Sequence, residues 1–177
     1  IGEDLGTIPD GLRGALDASG VMGCRVAMFE RDWEGTGAFL TPDAYTPTAL
    51  ASWGTHDLPT WQGWRQGRDI DWRAELGEIA DPGAAHATRQ SEVAAFDAVA
   101  GAADLEGLHR FLARAASTLV AVQGEDLAGA VEQCNLPGTL HEHPNWRRRL
   151  PLPLSGLISA PSLGQTGRIM HDAGRNG

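Results

Sequence analysis

Lysine is missing altogether: all fourteen basic residues of the 177-residue chain are arginine. That excludes Schiff-base chemistry on a lysine and the phosphate-loop lysine of nucleotide sites. Cysteine is scarce. Cys24 and Cys134 lie far apart and form no CxxC pair, so neither a disulfide framework nor a zinc knuckle is available. Both thiols read as small core residues in a reducing compartment. No apolar run approaches the roughly 18 residues of a membrane span, and no secretory leader is visible. The expectation is a cytoplasmic protein with no membrane partner. Positive charge is also in deficit: 23 acidic residues against 14 basic give a net charge of −9. Nucleic-acid binders carry a basic face, so that class is excluded, and a neutral or cationic partner fits. Internal repeats and low-complexity tracts are absent too.

What is present suffices for one domain with a real core. "GTIPDGLRGALDASG" reads as a helix, with Thr7 and Asp10 at capping-box spacing, Pro9 in the first turn and Gly20 as the stop. "CRVAMF" (24–29) reads as a short strand and "TPTALASWG" (46–54) as a second. A turn and a short helix follow in "THDLPTWQGWRQG". Val93, Phe96 and Val99 recur at helical spacing within 84–100, as do Leu105, Leu108, Phe111 and Leu112 within 104–116, where Asp104 can cap. "STLVAVQGEDLAGA" reads as a strand and a short helix, after which the chain turns loop-like. The weakly apolar stretch from residue 154 to 177 is expected to be a poorly ordered tail. Strands alternating with helices predict a parallel α/β fold.

Two stretches put polar groups directly after apolar strands, where parallel α/β proteins collect their catalytic groups. In "ASWGTHDLPTW" one loop delivers His56 and Asp57 to one cavity. A carboxylate there can stabilise developing positive charge, and an imidazole can hydrogen-bond a hydroxyl. The competing reading is that Asp57 caps the next helix and His56 is surface. In "IGEDLG", Glu3 and Asp4 stand at a strand end, and two carboxylates from different strand ends are the layout of glycoside chemistry. Here the competing reading is that they favour the start of a helix. Six tryptophans suit a cleft in which sugar rings pack on indoles, with most of them in the core or rim and one or two touching a ligand. "HEH" (141–143) lacks a third ligand at recognisable spacing, so neither metal nor cofactor is expected. The cluster "NWRRRL" (145–150) is expected to pair with carboxylates of the chain.

Taken in order and spacing, "IGEDLGTIP", "ASWGTHDLPTWQGWRQG" and "NLPGTLHEHPNWRRRLP" resemble the 4-alpha-glucanotransferase family (amylomaltase, or disproportionating enzyme), over about residues 1–153. The resemblance implies the C-terminal portion of a (β/α)8 (TIM) barrel of the alpha-amylase superfamily type, with helical insertions, over residues 1–153. It implies an enzyme that passes α-1,4-glucan segments to an acceptor sugar through a covalent intermediate, with maltooligosaccharides as partners. Glu3 matches the general acid/base and Asp57 the transition-state-stabilising carboxylate. His56 matches a histidine that bonds a sugar hydroxyl. Asn135 to Thr139 match the "N-x-P-G-T" stretch, with Asn135 as a substrate contact. The family's nucleophilic aspartate follows an earlier strand, so the chain is expected to be part of a longer enzyme and inactive alone. Two alternatives stand beside this reading: a glucan hydrolase of the same superfamily, and a non-catalytic carbohydrate-binding remnant.

Overall fold

The computed structural model describes residues 1–175. Helix α1 (Leu12–Ala18) leads into strand β1 (Gly23–Val26), and β2 (Ala49–Ser52) follows. Four helices come next: α2 (Trp61–Gln66), α3 (Arg68–Glu75), α4 (Pro82–Ala100) and α5 (Leu105–Ala113). Strand β3 (Leu119–Val120), α6 (Gly124–Leu127), a long loop, α7 (Leu154–Ile158) and α8 (Pro161–Asp172) complete the order. The strands form one parallel sheet in the order β1-β2-β3, with Val26 opposite Ser52 and Ala51 opposite Val120. Parallel neighbours need crossovers, and the four helices between β2 and β3 form one of them.

The β1-to-β2 crossover departs from simple alternation. Residues 27–48 fold into a turn, an antiparallel bridge between Arg31 and Phe39, and a 3-10 turn at Pro42–Ala44. Strand β1 also ends three residues before the expected limit. Phe29 and Glu30 both donate their amides back to the Val26 carbonyl, at 2.8 and 3.1 Å, and this turns the chain out of the sheet.

Tryptophan supplies the centre of the core. Trp53, Trp61 and Trp64 are fully buried together with Phe96 and Phe111. The Trp53 ring centroid lies 4.8 Å from that of Trp61, 4.9 Å from Trp64 and 5.3 Å from Phe96, all edge-on. Such offset geometries are favoured by the ring quadrupoles. Helices α4 and α5 bury the faces their spacing predicts, and Asp104 caps α5 by accepting the Gly107 amide at 2.7 Å. Helix α1 forms without the expected capping box. Its N-cap is Gly11, in the left-handed region at φ 80°, and no side chain caps it.

Where a poorly ordered tail is expected, the structure has α7 and α8. Thr166 shares a 2.7 Å hydrogen bond with the buried His109 of α5, and Ser162 donates to the Leu127 carbonyl at 2.6 Å. Arg175 donates to the Ala113, Ala115 and Ser117 carbonyls, which α5 leaves unpaired at and beyond its C-terminus. Residues 176–177 of the expected tail lie outside the described residues.

Candidate functional site

The loop after β2 is pinned at both ends. Buried Trp53 holds its start. At its far end Thr60 is the N-cap of α2, accepting the Gly63 amide at 3.0 Å, while its own hydroxyl donates to the Ala130 carbonyl at 2.8 Å. The Trp61 amide donates to Asp126 Oδ1 at 2.7 Å. Two of the free amides of the helix start, Trp61 and Gly63, are therefore satisfied by other residues, and Asp57 caps neither. Instead a turn at 55–58, closed by the Leu58 amide on the Thr55 carbonyl at 3.2 Å, presents an exposed His56 and a half-buried Asp57. His56 Nε2 lies 3.6 Å from Asp57 Oδ1.

A second segment, 78 residues away, closes on this loop. Asn135 Nδ2 donates to Asp57 Oδ1 at 2.6 Å, and the Cys134 thiol donates to the His56 carbonyl at 3.1 Å. The Trp146 ring stands 5.4 Å from the His56 ring. Trp146 has a positive φ, 61°, which a bulky residue rarely adopts, and its amide on the Cys134 carbonyl at 2.9 Å holds it there. Asn145 shapes the segment. Its Oδ1 accepts from the Leu136 amide at 2.9 Å and from His143 Nδ1 at 2.7 Å, and its Nδ2 donates to Thr139 Oγ1 at 2.8 Å. His143 is thereby committed to the loop, and its ring packs edge-on 4.8 Å from Trp72. Among the described residues no group of three or more His, Cys, Asp or Glu could hold a metal ion. Within the arginine cluster, Arg148 pairs with Glu132 at 3.2 Å.

Glu3 and Asp4 divide into two roles. Helix α1 begins only at Leu12 and has no acidic residue in its first turn, so neither carboxylate starts a helix. Asp4 is buried and locked. It accepts from the Cys24 amide at 2.6 Å, from Arg25 at 2.9 Å and from Arg13 at 3.0 Å. Burial pushes its carboxyl up, but these donors outweigh burial and hold it below the ordinary range. With the Gly2 amide on the Met22 carbonyl at 2.8 Å, this clamp fixes residue 3 beside the start of β1. Glu3 is exposed and makes no hydrogen bond or ion pair among the described residues. The structure thus brings His56, Asp57 and Asn135 into one cluster, and no hydrogen bond or ion pair among the described residues links Glu3 to it.

Two residues near the cluster carry no motif signal. Gln123, just past β3, borders a small cavity of about 160 Å3 with Thr55 and His56. Its buried Oε1 has no partner. A polar residue directly after an apolar strand was the available signal. Asp126 is buried, and burial raises its carboxyl to about 7. A raised carboxyl pKa contributes stability that is complete below its unfolded value near 4 and is lost as pH rises through about 7. At about 1.4 kcal/mol per unit, the difference is on the order of 4 kcal/mol. Asn at this position keeps the Oδ1 acceptor for Trp61 without the titration. Asp126→Asn is therefore expected to gain stability relative to wild type as pH rises from 4 to 8, measured as urea midpoints at stepped pH. A constant difference between the two proteins would refute the assignment.

The sequence profile of the 4-alpha-glucanotransferase family matches residues 1–155. The chain is 34% identical over 179 residues to a 4-alpha-glucanotransferase of Mycobacterium tuberculosis, an alignment covering 92% of this chain and 24% of the relative. Among solved structures, an amylomaltase from Corynebacterium glutamicum superposes with a TM-score of 0.86 at 28% identity, over 96% of this chain and 28% of the other. An amylomaltase from Streptococcus agalactiae, in complex with acarbose, shares the fold at a TM-score of 0.68 and 18% identity, over 99% of this chain and 32% of the other. The chain thus spans about a quarter of the length of the curated relative it matches.

Proposed function

The chain belongs to the 4-alpha-glucanotransferase family, and from that premise we propose that it supplies part of the active site of an enzyme that transfers α-1,4-glucan segments to an acceptor sugar with retention of configuration. In this reading the three parallel strands belong to the C-terminal part of a (β/α)8 barrel, the part that residues 1–153 supply. Maltooligosaccharides are the substrates, and the acarbose held by the streptococcal amylomaltase supports that class. The transfer takes place in the cytoplasm, where the two unpaired cysteines stay reduced.

The observation that carries the reading is the 2.6 Å contact between Asn135 and Asp57. Two separated family motifs meet on one carboxylate that has no helix to cap. Asn135 orients Asp57 and occupies Oδ1 alone; Oδ2 accepts no hydrogen bond among the described residues. An oriented carboxylate with a free oxygen can face an oxocarbenium-like centre and stabilise its charge. His56, exposed beside it, hydrogen-bonds a sugar hydroxyl, and the Asn135 segment forms the opposite wall. Glu3 is the general acid/base: protonated, it assists departure of the glycosidic oxygen; ionised, it activates the acceptor hydroxyl. The nucleophilic aspartate lies outside these 177 residues.

An enzyme carrying this chain, given maltotriose, is expected to release glucose and to build longer maltooligosaccharides whose first-formed linkages are α. NMR of the early products reads the anomeric configuration directly. First-formed β anomers, or glucose without any longer product, would overturn retention or transfer respectively.

A further inference from the structure

The clamp on Asp4 exceeds what a bend in the chain requires. Arg25 of β1 is 5% exposed, and Asp4 is its one ion-pair partner among the described residues. The same guanidinium donates to the Cys24 carbonyl at 2.6 Å. Asp4 is itself 3% exposed, and its Oδ2 serves Arg13 of α1 as well. A glycine makes room for the pair. A Cβ on Gly23 would stand 2.8 Å from Asp4 Oδ1 and 3.1 Å from Arg25 Nη1, so a larger residue fits only if the carboxylate moves. Buried ion pairs add little stability over apolar side chains of the same size, and breaking one is strongly destabilising. Such a pair is better explained by where it holds the chain.

The residue it holds is Glu3, one position away, and the charges reach that far. Burial raises the Cys24 thiol above its ordinary range, and the negative charges of Asp4 and Glu3 raise it further. Glu3 therefore lies within the field at the start of β1. The charged and titratable groups that share this field with Asp4 are Arg13 on α1, Arg25 and Cys24 on β1, Glu30 on the segment after β1, and the Ile1 amino group. Asp4 is the one carboxylate hydrogen-bonded to either guanidinium among the described residues. Without its charge, Arg13 and Arg25 would both act on Glu3 with no carboxylate bound to them. Unopposed cations favour the ionised form of a carboxyl, whereas a general acid must hold its proton until the bond breaks.

We propose that Asp4 is a positioning residue for the acid/base. Locked by Gly23 and Arg25, it fixes where Glu3 enters the site. Its charge offsets Arg13 and Arg25, so that Glu3 keeps the proton it delivers to the glycosidic oxygen. This deepens, and rests on, the role given to Glu3 above.

The test uses an enzyme carrying this chain. Transfer from maltotriose and the fluoride burst from α-maltosyl fluoride are each measured across pH. Only the glycosidic donor needs a protonated acid, so only its profile has an alkaline limb set by Glu3. Asp4→Asn keeps an oxygen for the Cys24 amide and removes the charge. Its limb is expected to move down by roughly half a pH unit, the effect of one charge about 10 Å away at an effective dielectric constant of about 50. Arg13→Gln removes an opposing charge from a half-exposed side chain, and its limb is expected to move up by a similar amount. Loss of folding cannot displace one limb in opposite directions. Gly23→Ala keeps every charge and crowds Asp4. It is expected to lower transfer from maltotriose about tenfold, a cost of misplacing the acid, with the limb in place and the burst near normal. A maltotriose limb that neither charge variant moves overturns the proposal and leaves the role of Glu3 intact. Should Asp4→Asn fail to fold, an unmoved limb in Arg13→Gln is sufficient to overturn it. An alkaline limb shared by both donors in the wild-type enzyme overturns the role of Glu3, and the proposal falls with it.

Discussion

Incubated alone with maltotriose, the 177-residue chain is expected to produce neither glucose nor a ladder of longer maltooligosaccharides, a loss of activity below detection by chromatography. Retaining transfer needs a carboxylate about 5 Å from the acid/base, on which the glycosyl intermediate forms. The two other carboxylates placed at the motifs are engaged, Asp4 and Asp57. Asp4, beside Glu3, is buried and receives hydrogen bonds from three donors. Those bonds consume the lone pairs an attacking carboxylate would use, and they hold it against the sheet. Asp57 is the stabiliser in this scheme and carries the Asn135 amide. Products formed at the rate of a complete glucanotransferase would show that the nucleophile lies within these residues.

How much of this was legible in the sequence depended on how local its causes are. Helices α4 and α5 follow from the spacing of Val93, Phe96 and Val99 and of Leu105, Leu108, Phe111 and Leu112. The cap on α5 follows from Asp104, three residues from the amide it accepts. These are contacts within one turn of chain, and local pattern specifies them. Helix α8 is the opposite case. Its order comes from Thr166 on His109 and from Arg175 on the end of α5, contacts that span some 60 residues. A weakly apolar stretch gives no hint of either. The competing reading, Asp57 as the cap of α2, fails partly for the same reason, because the Trp61 amide is taken by Asp126, 65 residues further on.

The candidate site divides along the same line. His56 and Asp57 were legible because one loop after one strand delivers both. Asn135 entered through its motif, but its contact with Asp57 joins segments 78 residues apart, and only the fold makes it. The split between Glu3 and Asp4 was not legible at all. Two adjacent acids at a strand end look alike in sequence. The structure has no strand at residues 3 and 4; the fold sends Asp4 into the Arg25 and Cys24 clamp and leaves Glu3 exposed.

Replacing Glu3 and Asp57 one at a time, in an enzyme carrying this chain, is expected to separate their roles by donor. Loss of a general acid slows cleavage of a glycosidic oxygen by roughly 10²–10⁴, because the alkoxide leaves poorly without a proton. Fluoride leaves with little proton assistance. Glu3→Gln should therefore lose transfer from maltotriose by that factor and still give a near-normal burst of fluoride from α-maltosyl fluoride. Neither result depends on unfolding, since Glu3 is exposed and makes no hydrogen bond or ion pair among the described residues. Asp57→Asn removes negative charge from an oxocarbenium-like transition state that forms whichever group leaves. Both donors should slow together, by a factor of about 10² or more. The Asn135 contact sharpens the interpretation. Its amide donates to Oδ1, and the asparagine replacement retains an oxygen able to accept that bond. The loop geometry is then kept while the charge is lost. Should Glu3→Gln suppress the fluoride burst as severely as oligosaccharide transfer, Glu3 is not the acid. Should Asp57→Asn spare either donor, the stabilising charge comes from another carboxylate, and the contact with Asn135 serves only to close the loop.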